Sequence, residues 1–289
     1  MEKRGKKIMG YLIGIVFLII GIGVLFFTIP SSKTKREFQN ITTELADATI
    51  EQTGLITEED IANLPSSVQD YFRYTVYVGK RKTSYAKAFY RQVDFSLGKD
   101  KPLITMDYTH YNFTEEPARV ALIDSSLFGI PFEGIDTYRE GKGSMKGIFG
   151  KLITLFDYQG PAMDKASLVA TLSECLLFPT IALQDYVVWE EIDKLHAKAT
   201  ITHDGVTATG IFTFNELGEM TSFSTFDKQP TTVEEHSEPI RWTAACSKYT
   251  EIDGIKQPTQ LQAIWNYIEG DYVYFNSDNI HITNFYISD

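Results

Sequence analysis

The chain has 289 residues, 43% of them hydrophobic and 13% aromatic, with 27 basic and 38 acidic side chains. From Phe38 onward 20 basic residues stand against 36 acidic ones, a net charge of −16, which excludes a binder that must neutralise nucleic-acid phosphates. Two cysteines, Cys175 and Cys246, are too few for a disulfide-stapled scaffold or a zinc site of several thiolates.

The first element is an apolar run of 22 residues, Ile8 to Ile29, without a charge. It matches the ~20 residues a helix needs to cross a hydrocarbon core of ~30 Å. Lys3, Arg4, Lys6 and Lys7 precede it, and Lys33, Lys35 and Arg36 follow Pro30. The run is longer than a signal-peptide core, and its exit, Phe27-Thr28-Ile29-Pro30, offers a peptidase no small residues. The expectation is an uncleaved single-pass anchor: residues 1–7 a cytoplasmic tail, 8–29 the transmembrane helix, 30–56 a juxtamembrane linker or helix, and 57–289 an extracytoplasmic β-rich domain. The basic tail argues for that orientation; the alternative is an anchored cytosolic domain.

Glu37 to Gln52 reads as a weakly amphipathic helix with Ile41, Leu45 and Ala48 on its apolar side. Thr57-Glu-Glu-Asp opens a short helix with a capping-box pattern. Ser66 or Ser67 is expected to cap a second, with Val68, Tyr71, Phe72 and Thr75 on one face. From Tyr85 the period changes to two. Tyr85, Phe89, Val93, Phe95 and Leu97 are expected on one strand face, with Ala86, Ala88, Tyr90 and Asp94 on the other. Further strands are expected at 103–113, 119–125, 134–139, 187–191, 195–203, 206–215, 219–227, 240–252, 257–268 and, in two pieces, 272–287. Asp204-Gly205, Leu217-Gly218, Asp253-Gly254 and Glu269-Gly270 supply hairpin turns. After Gly160-Pro161 a helix capped by Asp164 carries Leu168, Leu172, Cys175 and Leu176 on one face and breaks at Phe178-Pro179. The fold class is α+β: an N-terminal transmembrane helix, then one large curved antiparallel β-sheet, half-barrel-like, with helices packed on one face.

Motifs for chemistry are absent. The Gly- and Lys-rich Gly141–Lys151 lacks the P-loop order and Gly-x-Ser-x-Gly, and reads as a strand edge or turn. His110, His196, His203, His236 and His281 form no zinc-binding pair; His196 and His203 read as surface residues, and Glu234-Glu235-His236 as a charged surface loop. No catalytic residue, cofactor or metal is expected. Cys175 and Cys246 are either bridged or two small buried hydrophobes. Asn40-Ile-Thr and Asn112-Phe-Thr match the glycosylation sequon. Glu174 stands out, a carboxylate in an apolar helix. It either meets a ligand's polar head or pairs with a strand arginine such as Arg91 or Arg241.

Leu64-Pro65-x-x-Val68-x-x-Tyr71-Phe72, Gly160-Pro161, Leu172-x-Glu174-x-x-x-Phe178-Pro179, Val188-Trp189-Glu190, Phe212-x-Phe214-Asn215 and Ile252-Asp253-Gly254-x-x-x-Pro258-Thr259 with Trp265 occur in order. Together they resemble an uncharacterised family of bacterial membrane-anchored proteins, a domain of unknown function, from Leu64 to the C-terminus. Phe178 replaces the Trp that members of that family often carry. The resemblance supplies no activity. At the level of fold the strand pattern is similar to the lipoprotein-carrier (LolA-like) half-barrel, which implies acyl chains sheltered under helices.

The expected function is a non-enzymatic envelope domain that binds a lipid or other apolar ligand. The membrane is its partner through residues 8–29. The alternatives are a module binding or sensing another envelope protein and, last, a hydrolase. The residues expected at a ligand are Glu174, Phe178, Trp189, Tyr90 and Trp265.

Overall fold

The computed structural model describes residues 2–96, 98–99, 101–230 and 239–286. Leu97 and the Glu234-Glu235-His236 loop lie outside the described residues. The first helix, α1 (Glu2–Thr28), carries exposed apolar side chains from Met9 on and is long and apolar enough to cross a membrane. After a short break Ser32 caps α2 (Lys33–Ala48), its hydroxyl accepting from the Lys35 amide at 3.0 Å.

Among the described residues beyond α2, 14 strands form one antiparallel sheet: β1 (Tyr85–Ser96), β2 (Leu103–Phe113), β3 (Ala118–Leu127), β4 (Ile130–Arg139), β5 (Lys142–Phe149), β6 (Ile153–Gln159), β7 (Val187–Asp193), β8 (His196–His203), β9 (Val206–Phe214), β10 (Met220–Thr225), β11 (Arg241–Ile252), β12 (Ile255–Tyr267), β13 (Gly270–Ser277) and β14 (Ile280–Phe285). Their order is 6-5-4-3-2-1-13-12-11-10-9-8-7, with β14 pairing the first half of β1. The expected hairpin turns carry positive φ at Asp204-Gly205 and Asp253-Gly254. Two further turns, Phe128-Gly129 and Glu140-Gly141, do the same.

The sheet is curled. Eight strands separate β5 from β9 in its order, yet α5 (Pro161–Glu174) packs against both. The β4–β5 and β8–β9 hairpins also meet, with Tyr138 Oη 3.1 Å from His203 Nδ1. His203 is therefore a largely buried hairpin residue, not a surface one, whereas His196 stays exposed beside Asp193.

The expected faces of β1 need correcting at a bulge. Register shifts between Tyr90 and Val93, Gln92 takes φ 53°, and its amide donates to Asp107 Oδ1 at 2.9 Å. The extra residue flips the alternation. Ala86, Ala88, Tyr90 and Val93 therefore share the inner, buried face, while Tyr85 turns outward to Phe113 and Tyr111.

Residues 141–151, expected as a strand edge or turn, are mostly strand β5, one place in from the sheet edge at β6. Gly143 is there because α5 presses on it: a Cβ would lie 2.4 Å from the Met163 carbonyl oxygen. Asp164 does not cap α5 but sits inside its first turn, buried, and accepts from the Gly143 amide at 2.8 Å.

Among the described residues, four helices cover the inner face. Thr57 and Asp60 complete the expected capping box of α3 (Glu58–Ile61). The N-cap of α4 (Ser66–Tyr74) is Pro65, without a side-chain cap from Ser66 or Ser67. Its Val68, Tyr71 and Phe72 join Leu168, Leu172, Cys175 and Leu176 and α6 (Pro179–Ala182) in the main core. Tyr71 Oη donates to the Leu176 carbonyl at 2.9 Å, tying α4 to the chain after α5. Helix α2 lies on the opposite, outer face: Phe38, Ile41 and Leu45 pack on Phe113, Val120 and Ile135.

Candidate functional site

Between the inner face and α5 lies a cavity of about 370 Å³. Its apolar wall comes from β1, β11, β12 and β13, including Tyr90, Trp242, Trp265, Tyr274 and Phe275. Alternation makes this wall, since every second residue of a strand faces inward. Ala244 and Ala263 are directly opposed across β11 and β12, and their small side chains leave room that larger residues would fill.

At one end the wall becomes polar, with Tyr108, Arg119, Asp136 and Glu174 on it and His110 and Asn112 buried behind them. Tyr108, His110 and Asn112 alternate on β2, Arg119 stands on β3, Asp136 on β4, and Glu174 descends from the last turn of α5. Arg119 is 3% exposed. Its Nε donates to Glu174 Oε2 at 3.2 Å and its Nη1 to Asp136 Oδ2 at 2.8 Å, while Nη2 donates to Tyr108 Oη. Burial works against the charge on Arg119, and Glu174, Tyr108 and Asp136 together more than offset this, so its pKa rises. For Glu174 burial raises the pKa, but Arg119 and His110 outweigh it and the carboxyl is held below its usual range.

Asn112 Nδ2 donates to both Glu174 Oε2 (3.0 Å) and His110 Nδ1 (2.9 Å), which leaves the His110 Nε2 hydrogen for Tyr90 Oη at 3.2 Å. Burial pulls the His110 pKa down to about 4, so the ring is neutral at pH 7. Lys228 borders the same cavity, its Nζ 4.4 Å from the centre of the Trp242 ring. Burial lowers its pKa to about 8, and among the described residues it has no carboxylate in salt-bridge reach.

Of the five residues expected at a ligand, Tyr90, Glu174 and Trp265 line this cavity. Phe178 and Trp189 do not. Phe178 is buried edge-on to His110 at 5.8 Å, beneath the polar cluster. Trp189 packs on Phe212 and donates Nε1 to the Ala182 carbonyl at 2.9 Å. The strand partner of Glu174 is Arg119; Arg91 and Arg241 are exposed residues, Arg241 bonding Asn266. Arg119, His110, Asn112 and Asp136 escaped the sequence reading. The signal for His110 and Asn112 was the even spacing Tyr108-x-His110-x-Asn112, which sets three polar side chains on one face of a strand.

Cys175 and Cys246 are both buried and unbridged. Asn112, in the second sequon, is buried within the cluster and closed to a glycan. Among the described residues no group of His, Cys, Asp and Glu has the arrangement of a metal site.

Residues 54–277 match a family of unknown function, DUF6544, over more than three quarters of the chain. The chain belongs to DUF6544. Strands β1 to β13, the four inner helices and the cavity fall within the DUF6544 match; α1 and α2 precede it and β14 follows it. A comparison with curated proteins finds no match. Among solved structures, the DUF6544 chain is similar to a LolA superfamily protein from Nitrosomonas europaea. The two share 9% identity at a TM-score of 0.39, covering 77% of this chain and 94% of that one. At that level the likeness says nothing of ligand or activity.

Proposed function

We propose that this protein is a membrane-tethered, non-enzymatic domain that holds a single-chain amphiphile, its apolar tail in the aromatic cavity and an acidic head beside Lys228. In this reading residues 1–7 are cytoplasmic, 8–29 anchor the chain as its single pass, and the domain lies outside the cell membrane.

The observation that carries the proposal is the cavity itself, a mostly apolar-walled space with a few polar groups gathered at one end, the usual form of a small-molecule site. Its volume of about 370 Å³ is near the lower end of such sites, enough for one chain and small for two. Asp136 Oδ1 and Tyr272 Oη, both on its wall, are buried without a partner among the described residues, and a hydroxyl on the head would serve them.

Native mass spectrometry of the full chain released from detergent tests this. Wild-type protein is expected to retain an extractable amphiphile that Ala263→Trp, which fills the cavity, excludes. Wild type and variant free of ligand alike, or equally loaded, would overturn the reading.

A further inference from the structure

The geometry points to one end of the sheet as a second membrane contact: the β3–β4, β5–β6 and β12–β13 turns enter the bilayer interface and hold the cavity mouth against lipid. This rests on the anchor reading above and adds to it a docking surface and an orientation.

The first observation is where the anchor ends. Lys151, in the β5–β6 turn, donates its Nζ to the Phe26 carbonyl at 2.9 Å and to that of Ile29, closing the C-terminal turn of α1. Gly150 packs beside Phe27 and Ile130, so the β5–β6 and β3–β4 turns both lie at the membrane exit of that helix.

The second is what these turns expose. Phe128 is 100% exposed and Leu152 75%, and Ile153 and Leu155 continue the apolar strip along edge strand β6. A surface facing water has no use for bulky apolar tips at adjoining turns, whereas a bilayer interface takes them together with an aromatic ring. Lys99 and Lys101, in the β1–β2 turn of the same end, and Lys151 supply the basic complement to anionic headgroups. At the other end of these strands the β2–β3 turn carries Glu115 and Glu116 instead.

The third is the cavity mouth. Lys99 and Leu155, both exposed, line it, as does Tyr267. Lys99 reaches the β12–β13 turn, 4.8 Å above the Tyr267 ring and 3.8 Å from Glu269, beside Ile268, which is 95% exposed. The opening is therefore framed by the same apolar turns, and a ligand would pass between cavity and bilayer without crossing open water.

The test places nitroxide labels on the full chain in vesicles of phosphatidylcholine with a minor share of phosphatidylglycerol. The labels go at Phe128→Cys, Leu152→Cys and Ile268→Cys, one at a time. The two native thiols are buried and stay unlabelled in the folded protein. Collision with oxygen against a water-soluble nickel chelate reads immersion. Phe17→Cys in α1 serves as the lipid reference, and Glu116→Cys, at the far end of β3, as the aqueous one. Oxygen-to-nickel ratios at Phe128 and Leu152 are expected several-fold above that at Glu116, with Ile268 intermediate. Lipid at Phe17 with water at both Phe128 and Leu152 would overturn the docking surface and leave the anchor standing. Water at Phe17 would overturn the anchor reading and the docking surface with it.

Discussion

Arg119 on β3 and Glu174 at the end of α5 lie 55 residues apart in sequence and meet at 3.2 Å beneath the cavity, one 3% and the other 15% exposed. The pair fastens the helix that roofs the cavity to the strand that floors it. A charge this buried is tolerable only because Glu174, Asp136 and Tyr108 surround it.

Removing the cation should therefore be costly. Arg119→Met leaves two carboxylates unpaired in the interior and is expected to destabilise the domain by about 3–5 kcal/mol, the usual penalty for breaking a buried pair. Arg119→Lys should recover only part of this, because a point charge cannot serve three partners as a planar fork does. Urea unfolding of the detergent-solubilised chain measures both, and wild-type stability for Arg119→Met would contradict the account.

Acid should weaken the fold at the same cluster. His110 has a folded pKa of about 4 against an ordinary value of 6.5, so between those limits the unfolded chain binds more protons than the folded one. Stability is then whole above pH 6.5 and falls as pH drops towards 4, by up to about 3 kcal/mol. Glu174, whose folded pKa is lowered, loses its share in the same direction at more acid pH. The unfolding midpoint followed from pH 7 to 4 should decline, and His110→Gln should flatten that decline.

Lys228 should set the pH dependence of ligand retention. Its ammonium is charged below about pH 8 and neutral above. An acidic amphiphile should bind more weakly as pH rises through 8, and Lys228→Met should weaken it about tenfold at pH 7, the scale of one hydrogen bond to a charged group. A neutral amphiphile should ignore both changes. Fluorescent acyl probes with acid and alcohol heads, titrated in parallel, read the difference.

The thiols should be silent in the native state. Burial pushes Cys246 up to about 12 and raises Cys175 further, so neither offers a thiolate near neutrality. A thiol reagent should find none in folded protein and two after denaturation; a reading of none in denaturant would mean a bridge.

The curved sheet was legible because alternation and turn chemistry are local, as at Asp204-Gly205 and Asp253-Gly254. What escaped was set by contacts across the fold. Gly141, Gly143, Gly147 and Gly150 suggest a loose strand edge or a turn when read along the chain. In the folded protein Gly143 and Gly147 are strand positions flattened by α5 and by the Phe156 ring. The bulge at Gln92 reverses a face through one residue in an unusual conformation, which no periodicity announces. Glu174 drew notice for its apolar setting, but its partner could not be chosen among the strand arginines, since only the register of β2 on β3 sets Asn112 opposite Arg119 and both beneath the helix.

Helix α2 carries a consequence for reach. It follows the anchor after four residues, Ile29 to Ser32, and is fastened to the sheet by Phe38 and by the Lys35–Asp124 and Lys146–Glu37 pairs. Four residues span at most ~14 Å when fully stretched, and Lys151 already clips across that joint. A domain on so short a leash cannot ferry cargo between membranes. It can drift sideways and wait, a fixed station at which whatever it shelters must be loaded and collected on the spot.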